Sequence, residues 1–247
     1  MRIVAIVQAR MGSTRLPGKV LMDIGGETVL SRVLKRLSRA RQISEIVVAT
    51  TVSSTDDLLV QDAKQIGVRF FRGPENDVLS RYCQAATAFN ADGIVRITAD
   101  CPLIDSGLVD DVIEAFAKNG PDLACNDFPR TFPRGLDTEV FTIQALRRAE
   151  ELSILSHQRE HVTPVFYERQ DVFRIHSVCA GQDYSRNRWT LDTAEDLELI
   201  RAIYSYFDNR DDFTWHEVLA MLENAPELVA INSHIVQKTV DKTAAAL

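Results

Sequence analysis

The stretch Ile3-Val-Ala-Ile-Val-Gln-Ala-Arg-Met-Gly-Ser-Thr-Arg-Leu-Pro-Gly-Lys19 decides how the remainder of the chain is read. Ile3 to Val7 is an unbroken, mostly β-branched apolar run, the pattern of a strand covered on both faces, as in a parallel sheet between helices. The loop that follows therefore leaves the carboxyl end of a central strand, where open α/β sheets place their ligands. It carries Arg10, Arg15 and Lys19 among small residues, and Gly12 and Gly18 let backbone amides converge on an anion. The loop reads as a polyphosphate cradle. It is not a P-loop, because five residues rather than four separate Gly12 from Gly18 and Val20 stands where a Ser or Thr would ligate magnesium.

Working outward, strand and helix patterns alternate. An amphipathic helix over Val29 to Leu37 turns Arg32, Lys35 and Arg36 away from its apolar face. Buried strands follow at Glu45 to Thr50 and Gly93 to Thr98, with a shorter one at Arg69 to Arg72. Helices are predicted from the Ser54–Asp57 start, from Asp77 to Phe89 and from Leu108 to Ala117. This alternation implies an α/β fold, a doubly wound and mostly parallel sheet. Beyond residue 120 the pattern loosens around Pro121, Pro129, Pro133 and Gly135. Leu136 to Thr142 is strand-like, Gln144 to Leu152 helical, Ser156 to Arg169 one further helix, and Val172 to Val178 a half-buried strand. Arg188 to Asp192 reads as a short strand, with helices at Ala194 to Phe207 and Thr214 to Leu222. The expected organisation is one domain over residues 1–225, with 120–180 as an insert serving as a dimer arm or acceptor lid. Residues 226–247 form a tail whose end, from Lys242 to Leu247, is expected to be mobile.

Composition narrows the function. The net charge of −7 argues against a duplex nucleic-acid binder, while leaving room for a mononucleotide site. Cys83, Cys101, Cys125 and Cys179 are scattered without a Cys-x-x-Cys pair, as expected of reduced thiols in a cytoplasmic protein. No apolar run is long enough to span a membrane, and no secretory signal pattern precedes the first strand.

A second constellation is Arg96-x-x-x-Asp100, with the aspartate at the carboxyl end of a buried strand and so on the same sheet edge as the loop. There it is placed to hold Mg²⁺ against phosphates, since hard cations take carboxylate oxygens. Asp192, at another corner before a helix, is the best second ligand; the alternatives are a turn role for Asp100 and helix capping for Asp192. His157-Gln-Arg-Glu-His161 fits a short zinc-protease pattern, a match that arises readily by chance.

Together, Gln8 to Lys19, Arg96 to Asp105 and Arg188 to Leu197 resemble the three signatures of the cytidylyltransferases that activate acidic sugars, and Glu160-His-Val-Thr-Pro164 resembles a segment common in one branch. That branch is named for spore coat polysaccharide biosynthesis protein F and is related to the 3-deoxy-manno-octulosonate and acylneuraminate enzymes. The resemblance spans about residues 1–205 and implies a Rossmann-like nucleotidyltransferase that uses CTP with Mg²⁺. It implies that Ala9 and Arg10 meet the cytosine, that Arg10, Ser13, Arg15 and Lys19 hold the triphosphate, and that Asp100 and Asp192 bind the metal. Arg81 falls near base and ribose, and Arg134, Gly135, Asp137 and His161 fall in the acceptor region. The implied partners are CTP, a small acidic acceptor and a second copy of the chain in a homodimer. A relative using UTP or GTP and a non-catalytic nucleotide-binding subunit remain alternatives.

Overall fold

The computed structural model describes residues 1–238; the expectation for Lys242 to Leu247 lies outside them. The elements run β1 (Ile3–Gln8), a 3₁₀ turn (Lys19–Leu21), β2 (Asp23–Ile24), β3 (Glu27–Thr28), α1 (Val29–Leu37), β4 (Glu45–Thr51), α2 (Asp57–Ile66), β5 (Arg69–Gly73), α3 (Val78–Ala88), β6 (Gly93–Thr98), α4 (Ser106–Asn119) and β7 (Leu123–Cys125). They continue as β8 (Glu139–Thr142), α5 (Ile143–Leu152), α6 (Ser156–His161), α7 (Pro164–Glu168), β9 (Ile175–Ser177), α8 (Ala194–Tyr206), α9 (Trp215–Glu223) and α10 (Pro226–Asn232).

The main sheet has the order β5-β4-β1-β6-β8-β7-β9. β1 pairs in parallel with both β4 and β6, and β4 with β5, while β8 runs antiparallel to β6 and β7. The chain thus leaves β1 toward one side of the sheet and β6 toward the other, and the crevice between their carboxyl ends is the natural ligand position. The expected α/β, mostly parallel architecture is present. Alternation along β1 explains its uninterrupted apolarity. Val4 and Ile6 pack with Tyr82, Phe141 and Phe166 on one face, and Ala5 and Val7 with Leu30, Leu34 and Val112 on the other. A third core gathers Trp189, Leu191, Ile200, Tyr204 and Trp215 around α8 and α9.

Several local expectations change. The stretch 120–180 is part of the sheet itself, supplying β7, β8 and β9, with α5 to α7 laid on one face. The single helix over Ser156 to Arg169 is two helices, because Pro164 lacks an amide and opens α7 at its first turn. Val162, between them, has φ 72 and is fully buried. Residues Arg188 to Asp192 form no strand; they make an isolated bridge to Arg134. Two of the three cations on the polar face of α1 are not solvated: Arg32 and Arg36 are buried, and only Lys35 is exposed. Arg32 donates to the carbonyls of Ile24, Gly25 and Asn209, and Arg36 to those of Ile104, Asp211 and Phe213. A guanidinium with five donors can enter a core when carbonyls meet them, and here it ties α1 to the turn after α8. α10, in the region read as tail, packs on α8 and α9.

Gly135 follows the site residue Arg134 with φ +105, and a Cβ there would fall 2.6 Å from the Trp189 carbonyl carbon. Both the backbone conformation and the contact exclude a side chain. Gly135→Ala is expected to lower unfolding free energy by about 2–4 kcal/mol, measured by urea denaturation; a variant as stable as the parent would show that the 134–135 turn relaxes freely.

Candidate active site

At the carboxyl edge of β1 and β6 lies a cavity of about 560 Å³. Its walls include Ala9, Arg10, Ser13, Arg15 and Lys19 from the first loop, Arg81 from α3, Asp100 beyond β6, Arg134 and Asp137, His161 from α6, and Asp192. Of the sequence-predicted residues only Gly135 is not on the wall; it sits behind Arg134 against Trp189.

The first loop is shaped by its own backbone. Gly18, at φ 71, caps the 3₁₀ turn that presents Lys19, and its amide closes onto the Met11 carbonyl at 3.2 Å. Gly12 is not in a left-handed conformation, so of the two glycines only Gly18 uses its freedom. An anchor that the sequence reading missed comes from outside the loop. Asp56, read there only as part of a helix start, is buried and accepts the Met11 amide at 2.8 Å together with the hydroxyls of Thr50 and Thr51. Burial alone would raise its pKa, but the donors from Thr51, Met11 and Thr50 outweigh it and hold the carboxyl below its ordinary value.

Lys19 is the hub. Its Nζ donates to Asp100 Oδ2 at 2.8 Å, Asp192 Oδ1 at 2.8 Å and the Leu191 carbonyl at 2.7 Å. Burial pulls the ammonium's pKa down, yet Asp100 and Asp192 more than offset this and keep it raised. Asp192 reaches Asp100 because the backbone of its segment is tied there, Leu191 N–H to the Asp100 carbonyl at 2.8 Å. Asp192 Oδ2 faces Arg15 and Arg188, each at 2.9 Å, and Arg188 in turn forks onto Asp196 of α8 with two 2.9 Å bonds. Although burial acts the other way, Lys19, Arg15 and Arg188 depress the pKa of Asp192.

The donor set fits a hard divalent cation. Three oxygens, two of them carboxylate, already surround one cationic centre, and hard oxygen ligands with the remaining positions left to water and phosphate are what Mg²⁺ takes. Among the described residues no group of three or more His, Cys, Asp or Glu side chains is arranged for a metal. His157 is buried and bonded through Nε2 to Glu168 at 2.8 Å, while His161 alone reaches the cavity.

Beyond the Lys19–Asp100–Asp192 cluster, Arg81 is buried in the wall with Nη1 donating to the Pro74 carbonyl at 2.6 Å, and its Nε has no partner among the described residues. Arg96 lines the same cavity but does not pair with Asp100: it binds buried Glu139 at 2.5 Å. Glu139 also accepts from Tyr167 at 2.6 Å, and Tyr167 contacts Asp127 at 3.2 Å. Burial, reinforced by Glu139 and Asp137, pushes the Asp127 carboxyl up to about 7. Arg130 grips Asp137 bidentately at 2.5 and 2.8 Å, which fixes Asp137 on the cavity wall. Burial lowers the pKa of His161 and so favours the neutral imidazole.

A parallel-sheet crevice that joins a cationic loop to a lysine-bridged aspartate pair defines the chain as a nucleotidyltransferase of the α/β class. More particularly, it belongs to the cytidylyltransferase family, whose model matches residues 4–229. It is 33% identical over 232 residues to the spore coat polysaccharide biosynthesis protein SpsF of Bacillus subtilis, covering 91% of this chain and 95% of that one. A cytidylyltransferase structure from Leptospira borgpetersenii superposes with a TM-score of 0.90 at 36% identity, covering 97% of this chain and all of the other. CMP:2-keto-3-deoxy-manno-octonic acid synthetase, solved with CTP, shares the fold with a TM-score of 0.65 at 19% identity over 84% of this chain and all of its own.

The Asp56 anchor gives a pH prediction. Its folded-state pKa lies below the unfolded value of about 3.9, so its contribution to stability is complete above that value and is lost as pH falls through the folded one. Asp56→Asn is expected to cost about 1–3 kcal/mol at pH 7 and to flatten the acid limb of a stability–pH profile followed by circular dichroism. An unchanged acid limb would remove Asp56 from this role.

Proposed function

We propose that the protein transfers CMP from CTP to a hydroxyl of a small acidic sugar or related acceptor with release of pyrophosphate, in the synthesis of a surface glycan, acting with Mg²⁺ as a cytoplasmic homodimer. The observation that carries this reading is the Lys19–Asp100–Asp192 cluster at the cationic end of the cavity. Family membership supports CTP as donor. Arg134, which lines the cavity with Asp137 and His161, suits an acceptor that brings its own negative charge.

In the reaction, the acceptor oxygen forms a bond to the α-phosphorus as the bond from that phosphorus to the bridging oxygen of the β-phosphate breaks. The acceptor's proton passes to solvent, and no protein nucleophile is required. Such a transfer is accelerated mostly by positioning and by neutralising charge. Arg10, Ser13, Arg15 and Lys19 bind and orient the triphosphate, and Lys19 holds both aspartates in place. Ala9 and Arg81 border the base, and Arg134, Asp137 and His161 border the acceptor. Mg²⁺, held by Asp100 and Asp192, would supply neutralisation of charge on the phosphate oxygens.

Incubation with CTP, UTP or GTP, Mg²⁺ and a panel of acidic sugars, with pyrophosphate as the readout, is expected to give turnover with CTP. Turnover confined to UTP or GTP would reject the donor assignment, and nucleotide binding without turnover on any acceptor would indicate a non-catalytic subunit. Once an acceptor is in hand, Asp100→Asn and Asp192→Asn should each lower kcat about a hundredfold or more with an unchanged circular dichroism spectrum. Near-parental kcat at saturating Mg²⁺ would remove that aspartate from the metal site. Sedimentation velocity tests the dimer.

A further inference from the structure

Past residue 229, where the family match ends, the chain returns to the cavity. Asn232, buried at the end of α10, donates through Nδ2 to the Arg188 carbonyl at 2.9 Å and to Asp196 Oδ1 at 2.8 Å. Further along, Gln237 Oε1 accepts a hydrogen bond from Arg188 Nη1. The same guanidinium holds Asp192 through Nη2 and Asp196 through Nε and Nη2. The segment is thereby fastened to the group that positions Asp192. The next residue, Lys238, lies on the cavity wall with its side chain exposed.

Charge gives this placement a consequence. At the metal corner Arg15, Lys19 and Arg188 are matched by Asp100, Asp192 and Asp196, so the hydrogen-bonded cluster is neutral. A neutral cluster orients a triphosphate but offers little net attraction for its charge. Arg10 reaches Glu160 at 3.9 Å, and Arg96 is spent on Glu139. Arg134 and Lys238 are the wall cations that have no carboxylate or carbonyl partner for the side chain among the described residues. Of these two, Lys238 is connected through Gln237 and Arg188 to Asp192, and hence to Arg15 and Lys19.

We infer that Lys238 is a ligand for the β- and γ-phosphates of the nucleotide, and for the pyrophosphate that leaves, and that Gln237 is the residue that anchors it there. The C-terminal segment then supplies the surplus positive charge that the aspartates cancel elsewhere. This inference rests on the reading of the cavity as a CTP site.

The test is isothermal titration of full-length protein and of Lys238→Ala with CTP, inorganic pyrophosphate and CMP, each in Mg²⁺. The Kd for CTP and for pyrophosphate is expected to rise about fivefold, the range of an exposed ion pair, with that for CMP unchanged. Gln237→Ala should weaken CTP and pyrophosphate in the same direction, and adding Lys238→Ala to it should bring less than the full further loss, because the two act as one unit. Unchanged CTP and pyrophosphate affinities in Lys238→Ala, or an equal loss for CMP, would overturn the assignment while leaving the CTP site intact. Parent protein that fails to bind CTP would overturn both.

Discussion

The site depends on one ammonium. Lys19 joins the first loop to Asp100, 81 positions away, and to Asp192, 173 positions away, within 2.8 Å of each. Without that cation two partly buried carboxylates would face each other, and the electrostatic cost would fall on whichever backbone segment could move. The sheet makes the meeting possible, because β1 and β6 are parallel neighbours and end on the same edge. The late segment is brought in by backbone, through Leu191 N–H on the Asp100 carbonyl, before its side chain is used.

Around this hub the scaffold is held largely by polar groups in the interior. Arg188 and Asp196 are buried and bind each other bidentately, and Asp196 also accepts the amides of Asp192 and Thr193 at the start of α8. Asp56 does the equivalent work for the first loop, and Arg32 and Arg36 for the seam between α1 and the turn after α8. Each of these charges is expensive to bury alone and inexpensive once its donors or acceptors are met, so each also specifies one arrangement of the chain segments it joins. The wall at Asp137 follows the same pattern, with Glu139, Tyr167, Asp127 and Arg130 linked behind it.

The sequence by itself determined the sheet and marked most of the residues that line the cavity, because both depend on local patterns. An unbroken apolar run such as Ile3 to Val7 has few homes other than a doubly covered strand, and a cationic loop at its carboxyl end reads without knowledge of distant contacts. Asp100 was legible at a strand end in the same way. Asp192 was legible only as a corner before a helix and through the family resemblance, since no strand forms at Arg188 to Asp192. Only the tertiary structure decided how the charges pair. Arg32, Arg36, Arg96, Asp56 and Arg188 look like surface or ligand residues in one dimension, and their partners lie on other elements. The burial of Arg32 and Arg36 and the return of Gln237 to Arg188 are set by where carbonyls and carboxylates fall in space, whereas the break at Pro164 is local, set by the missing proline amide. Pairing energy depends on distance through space, which hydropathy periodicity along the chain does not encode.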